Sequence, residues 1–294
     1  MTREEKRDLL KGILFTSPWL VGLSVFVIYP VVASFYYSFC YYSVLQPPRF
    51  IGLLNYKDLF TDPIFWKSLW NTGYFVLFMI PLGLVTSLSL AMLLNTKVRG
   101  MAFYRMIFFL PSLVPMVAGS LLWMWIFNGE YGLLNNFLIK MGLPNPPNWL
   151  MDVNFAKPAI IIMSLWGLGQ TIVIYLAGLQ DVPVTLIEAA DLDGASWFDK
   201  LWNITIPMIS PVIYFNIIMG IIGSFQIFSQ AYIMTGGGPQ RSTTFYALYL
   251  YQAAFEDFRM GYASAMAWIL FVIILLLTML VQRISKEKVY YHGG

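Results

Sequence analysis

Charge is scarce in this chain. Of its 294 residues 11% are charged, against 59% that are apolar. A water-soluble fold carries far more charge on its surface, so the scarcity excludes a soluble globular domain and leaves an all-α polytopic membrane protein. The net charge of +3 is small and dispersed and gives no reason to expect a nucleic-acid partner. Cysteine occurs once, at Cys40, which excludes an intrachain disulfide and leaves packing as its expected role. Histidine also occurs once, at His292, inside Tyr290-Tyr291-His292-Gly293-Gly294. No histidine-based metal centre and no Ser-His pair can be assembled within the chain, so neither catalytic nor metal-ligating residues are expected. The G-x-x-x-x-G-K-[ST] phosphate loop is missing as well, so any ATP used in its work would be bound by another chain.

Six apolar stretches are long enough to cross a hydrocarbon core, which takes about 20 helical residues. They lie near Gly12–Phe39, Trp70–Leu94, Met106–Phe127, Pro158–Leu179, Pro211–Thr235 and Ala263–Val281. Arg3, Lys6, Arg7 and Lys11 before the first stretch could imitate a signal peptide. The run that follows is too long, and no small-x-small site comes promptly, so it is expected to stay as a spanning helix. An even number of spans puts both termini on one side. Lys97, Arg99 and Arg105 in a short loop, and Arg283, Lys286 and Lys288 near the end, join the N-terminal cations on that side, and dense cation in short loops marks the cytoplasm. This predicts a cytoplasmic segment 1–11, a six-helix membrane domain 12–284 and a cytoplasmic tail 285–294.

None of the six cores contains Asp, Glu, Lys, Arg or His. Ion-coupled carriers commonly place an ionisable group near the midplane, so secondary transport loses weight and the cargo is expected to be neutral. An intramembrane enzyme lacks its nucleophile and base by the same observation. Polar but uncharged groups do recur: Gln170 and Thr171 in span four, and Asn216, Ser224, Gln226, Ser229 and Gln230 in span five. Amides and hydroxyls beside aromatic rings suit a sugar, although hydrogen bonding between helices is an equally ordinary use for them. Prolines break up the spans at Pro18, Pro30, Pro81, Pro111 and Pro115, as in helices that line a path, or simply as in membrane helices generally.

The loop 181–207 between spans four and five has the most local structure. Pro183 can open a helix, and Gly194 suits the left-handed position just past its end. Ser196 with Asp199 three residues on is a weaker relative of the capping box, which normally uses Glu or Gln, and would start a second helix that Pro207 is expected to interrupt. The two would meet at a glycine elbow. Leu186, Ala189 and Ala190 share one face of the first helix, and Glu188 and Asp191 share another. The second places Trp197, Phe198, Leu201, Trp202 and Ile204 on an apolar face that reads as lying on a membrane surface. Only Lys200 offsets Asp181, Glu188, Asp191, Asp193 and Asp199, an acidic excess that fits a surface kept for a protein partner.

Glu188, Ala189, Ala190, Gly194, Ile204, Ile206 and Pro207 are spaced in a way that resembles the signature of membrane subunits of binding-protein-dependent ABC importers, departing from it only in an isoleucine where leucine is usual. The resemblance implies that Glu188, Ala189, Ala190, Asp191, Asp193, Gly194, Ile204 and Pro207 belong to coupling helices that seat in a cleft of an ATPase subunit. A plain charged surface helix is the competing reading.

Thr235-Gly236-Gly237-Gly238-Pro239, with Tyr246 through Tyr251, Ala254-Phe255 and Gly261-Tyr262-Ala263-Ser264-Ala265, is similar to the maltose/glycerol-phosphate-type branch of that family, whose cargoes are oligosaccharides and related polyols. Counting back from the two motifs places Trp166, Gly167, Gln170, Gly220, Gly223, Ser224 and Ile227 at the family's contact positions, and neighbouring Gln226 joins them as a candidate for the substrate path. The resemblance also implies a set of partners: a second permease, two ATP-binding subunits that hold the ATP and Mg²⁺, an external sugar-binding protein, and the lipid of a prokaryotic plasma (inner) membrane. A sugar phosphate or polyol is the alternative cargo, and an anion such as a sugar phosphate would call on outward Lys157, Arg241 or Arg259. An ATP-independent carrier is the remaining competitor.

Overall fold

The computed structural model describes residues 2–286, so Lys288, His292 and nearly all of the expected tail lie outside the described residues. Thr2 and Glu5 cap each other in a capping box that starts α1 (Arg3–Leu23), and a π turn (Ser24–Ile28) leads into α2 (Tyr29–Ser38). A minimal antiparallel ladder pairs β1 (Cys40–Tyr41) with β2 (Arg49–Phe50), with Cys40 opposite Phe50. Then come α3 (Leu54–Thr61), α4 (Pro63–Leu94), α5 (Met101–Phe109), α6 (Met116–Ile126), α7 (Leu133–Lys140), α8 (Ala156–Trp166) and α9 (Gly169–Gln180). The loop after α9 holds α10 (Val184–Leu192), α11 (Trp197–Lys200) and α12 (Ile206–Met208). The chain ends with α13 (Ser210–Phe225), α14 (Ser229–Met234), α15 (Tyr246–Tyr251) and α16 (Met260–Ser285).

Among the described residues four helices are long and apolar enough to cross a membrane: Glu4–Ser38, Pro63–Leu94, Ser210–Met234 and Met260–Ser285. Two bent pairs pass the same test together. α5 with its 3₁₀ extension turns by 100° into α6, and α8 turns by 49° into α9. The first bend falls at Pro111 and Pro115, where two missing N–H groups and two fixed φ angles stop the helix and restart it. Pro18, Pro30 and Pro81 behave differently and lie within continuous helix.

The elbow loop departs from expectation at Pro207. Pro207 does not interrupt its helix. A π turn, Leu201–Thr205, comes immediately before it, and helix continues to Met208 before the backbone breaks at Ile209. A second π turn comes just before Pro30. A proline ring in a regular helix presses on the carbonyl four residues back, and the wider turn moves that carbonyl aside.

The described chain forms two compact units. The first comprises residues up to Asp62 with Leu250–Phe271. In it the buried Asn55 donates to the carbonyls of Ser38 (2.8 Å) and Cys40 (2.9 Å), and Gly261 N–H donates to Tyr42 O (3.1 Å). A Cβ at Gly261 would run into the Cys40 carbonyl, so only glycine permits this approach. Cys40 is fully buried there. Tyr262 Oη donates to Asp62 (2.6 Å) and Trp268 Nε1 to Ser34 Oγ (3.2 Å).

The second unit comprises Pro63–Tyr249 with the segment from Val272 on. Here α4, α9 and α13 pack together, close enough that a Cβ on Gly178 of α9 would lie 2.8 Å from Val212 of α13 and one on Gly220 of α13 3.0 Å from Ile80 of α4. One apolar cluster centres on Tyr175, Leu176 and Ile209, and another on Phe75, Ile160, Ile161 and Phe245.

Candidate functional site

The loop 181–207 builds its elbow from local hydrogen bonds. Pro183 is the cap residue of α10 rather than its first turn, with extended backbone (φ −60°, ψ 123°). At the other end Gly194 has φ +76°, its N–H bonds to Asp191 O (3.1 Å), and Ala195 N–H bonds to Ala190 O (2.9 Å). This pair of bonds is a complete Schellman motif, which pairs carbonyls that a helix end otherwise leaves open. Ser196 then caps α11: Asp199 N–H donates to Ser196 Oγ (3.2 Å), and Ser196 N–H returns a bond to Asp199 Oδ2 (3.0 Å). The Ser196 hydroxyl also donates to that carboxylate (2.6 Å) and, with the N–H, holds the Asp199 carboxyl below its ordinary range. An ion pair between Lys200 and Asp191 bridges the two helices across the elbow.

What the elbow presents is largely bare. Glu188, Ala189, Asp191, Asp193 and Gly194 are exposed, while Ala190, Ile204, Ile206 and Pro207 are partly covered. Leu192 is 90% exposed, and Trp197, Phe198 and Trp202 are each more than half exposed. Large apolar side chains standing in the open mark a surface that meets another protein or the membrane.

The other candidate lies in the second unit. α13 and α14 are separated by a break at residues 226–228, and beside it opens a cleft of ≈ 370 Å³. Gly223, Ser224, Gln226 and Ile227 line it on this strand of the wall, and Phe75, Ser164, Phe228 and Gln230 complete much of the rest. A broken helix is tolerated at membrane depth where it lines a cavity, because the freed backbone groups find partners there. A cavity of ≈ 130 Å³ adjoins, sharing Ser164, Met116 and Gln230 and lined also by Trp166 and Gly167. On the other flank a void of ≈ 70 Å³ shares Met79 and Ser224 and is lined by Thr171, Asn216 and Gly220.

Seven of the eight candidate path residues therefore line one of three adjoining cavities. Gln170 is the exception: it is exposed in the first turn of α9, and its neighbour Thr171 takes the wall position instead. Gln170 lies just past the 49° bend between α8 and α9. Ser164, Phe75, Met79, Met116 and Phe228 were not anticipated. Gln230 follows Gln226 by one turn and Ser164 precedes Gly167 by three residues, so helical spacing pointed to both. Nothing in the sequence pointed to the α4 residues, which reach the cleft through packing alone.

Residues 68–289 match the family model described as binding-protein-dependent transport system inner membrane component. The chain is 39% identical to the probable ABC transporter permease protein YesP of Bacillus subtilis (strain 168), over 99% of this chain and 96% of that protein. It is 35% identical to the sulfoquinovosyl glycerol transport system permease protein SmoG of Agrobacterium fabrum, over 96% of this chain and 92% of that one. Among solved structures it resembles a chain of a bacterial alginate ABC transporter in complex with an alginate pentasaccharide-bound periplasmic protein. The TM-score is 0.85 at 22% identity, covering 97% of this chain and 96% of that one, a likeness of fold.

Proposed function

The chain belongs to the family of binding-protein-dependent transport system inner membrane components, and on that premise we propose that it is a permease subunit of an ATP-driven saccharide importer. It is a multi-pass membrane protein. In this reading each bent helix pair is one span, giving six, with the 1–11 segment, the 181–207 loop and the 285–294 tail in the cytoplasm. A second, similar permease completes the path, an external binding protein delivers the saccharide, and two ATPase subunits hold the ATP and Mg²⁺.

The observation that carries the saccharide reading is the ≈ 370 Å³ cleft, where three serines, two glutamines and two phenylalanine rings stand together at a broken helix. Hydroxyls and amides can pair with a sugar's many hydroxyls, and flat rings suit its C–H faces. The cargoes named for SmoG and for the alginate transporter are carbohydrates too, which supports the same class here. The elbow supplies the other end of the mechanism. Glu188 to Gly194, stiffened by the Schellman motif, the Ser196 cap and the Asp191–Lys200 pair, acts as a lever that carries ATPase closure into α9 and α13. Such coupling requires a two-state element biased from both ends, and an elbow joined directly to two cavity-lining helices meets that need.

The test is a mild-detergent pull-down of the tagged chain from its native membrane, followed by ATP-dependent uptake in vesicles rebuilt from what co-purifies. A second permease and a phosphate-loop ATPase should come with it, and Glu188→Lys should weaken their association while leaving membrane insertion intact. Uptake by this chain alone, without ATP, would replace the proposal with an independent carrier.

A further inference from the structure

Two turns before the cleft residue Ser164, in the first turn of α8, sits Lys157. It is half-buried, its Nζ donates to Asn71 Oδ1 (3.2 Å), and it lies 4.7 Å from the centre of the Tyr74 ring. Asn71 is fully buried and commits its amide hydrogens to the carbonyls of Arg241 (2.9 Å) and Thr244 (3.1 Å). Two more cations gather at this hub. Lys67, exposed, lies one turn before Asn71 on the same face of α4. Arg241, also exposed, is held at Asn71 by consecutive left-handed residues, Gln240 (φ +47°) and Arg241 itself (φ +59°), a conformation that non-glycine residues rarely adopt.

Among the described residues no carboxylate lies within ion-pair distance of Lys67, Lys157 or Arg241. Lys157 is the worst placed of the three. Partial burial strips water from its ammonium, the N-terminal end of the α8 dipole disfavours a cation, and the like charge of Lys67 opposes it. Among the described residues one neutral amide oxygen and one aromatic face answer that charge. A ligand oxyanion would answer it fully. The charge-free span cores point to a neutral cargo, but Lys157 stands just outside the core at Pro158, at the mouth of the path rather than at its middle.

Resting on the importer reading above, we infer that Lys157, with Lys67 and Arg241 around Asn71, receives the carboxylate or sulfonate of an acidic saccharide. The Tyr74 ring then lies beside the sugar bearing that group, and the uncharged remainder extends along α8 toward Ser164. The cargo is an anionic oligosaccharide rather than a neutral one.

The experiment supplies cells carrying this chain with its partner permease, ATPase and binding protein with an equimolar mixture of oligosaccharides. Neutral gluco- and galacto-oligosaccharides compete there with ones bearing glucuronate, galacturonate or a sulfonated hexose, and depletion is read by mass spectrometry. The acidic members should be taken up. Lys157→Gln should slow their entry about tenfold or more, the scale set by losing a charge-assisted contact. Lys157→Arg should keep most of it, and exposed Lys67→Gln, which cannot upset the fold, should cause a smaller loss of the same kind. Depletion of neutral members alone would overturn the inference. So would an equal loss for acidic and neutral members in Lys157→Gln, which would make Lys157 only a fastener of Asn71. Loss of binding-protein docking in Lys157→Gln would assign the anion to that protein, and a defect confined to vesicles of anionic lipid would assign it to a headgroup phosphate; either overturns it. No ATP-dependent uptake of any member would instead overturn the importer reading beneath it.

Discussion

Replacing Gly194 with valine tests the elbow most directly, because its cost can be worked out from the backbone alone. A Cβ at position 194 would meet no atom within 4 Å, so crowding contributes nothing. What remains is φ +76°, a left-handed conformation that costs an L-residue about 1–2 kcal/mol. A penalty of that size lowers the population of the formed elbow by a factor of roughly 5–30. Alanine should fall near the lower end, valine at or beyond the upper, and asparagine, which tolerates this region, should stay close to glycine. The assay is ATP-driven uptake, with substrate-stimulated ATP hydrolysis, by the assembled transporter at equal subunit content. Gly142 provides an internal control. It closes α7 with the same pair of bonds, Gly142 N–H to Ile139 O and Leu143 N–H to Leu138 O (both 3.0 Å), at φ +92° and with the same open surroundings. Gly142→Val carries a like local penalty but lies outside the lever, so it should spare coupling. Wild-type uptake by an assembled Gly194→Val transporter would refute the reasoning, as would equal losses in both variants.

Gly261→Ala should lower the unfolding temperature or the yield sharply, since its methyl group collides with the Cys40 carbonyl and overpacking of rigid backbone costs about 1–3 kcal/mol; an unchanged melting curve in detergent would show that β1 can move aside. A double-mutant cycle on Asp191 and Lys200 should give a coupling of only about 0.2–1 kcal/mol in stability, because the pair is partly exposed. The charge swap Asp191→Lys with Lys200→Asp should recover most of any uptake lost in the single variants, and no recovery would mean that Asp191 itself contacts the ATPase. Asp199 should titrate below 3.8, held down chiefly by the Ser196 hydroxyl and then by its N–H, so the cap's contribution is full above that value and fades as pH falls through the depressed one. Carboxyl carbon resonances should show that titration moving upward in Ser196→Ala, and no movement would remove Ser196 as the cause.

Much of the elbow was legible in the residues themselves. Gly194, Ser196 and Asp199 act on neighbours three to five positions away, and bonds of that reach form from local sequence whatever the rest of the chain does. The helix stop at Pro111 and Pro115 was legible for the same reason, though not its 100° turn. Pro207 shows the limit even of local reading: proline opposes a regular helix, and a π turn evades the conflict at a place that no residue type announced.

The cleft was half legible. Gln226, Ser224 and Gly223 lie on a span whose polar residues stand out against an apolar background, while Phe75 and Met79 on α4 look like any lipid-facing residues until packing turns them inward. In a membrane both the lipid and the helix contacts are apolar, so the hydrophobic pattern that separates inside from outside in a soluble helix carries little information here. Gln170 stands exposed in the first turn of α9, just past a bend of 49° that no residue type announced.

The sequence by itself determined the class, the apolar stretches and the local bonds of the elbow, because hydropathy and capping are short-range properties that survive without knowledge of neighbours. Only the tertiary structure decided which side chains share the cleft. It alone brought Lys157 to Asn71 and Asn71 to Arg241, pairs 86 and 170 residues apart in the chain. An unanswered charge is a property of everything around it, so it exists only once the helices are packed.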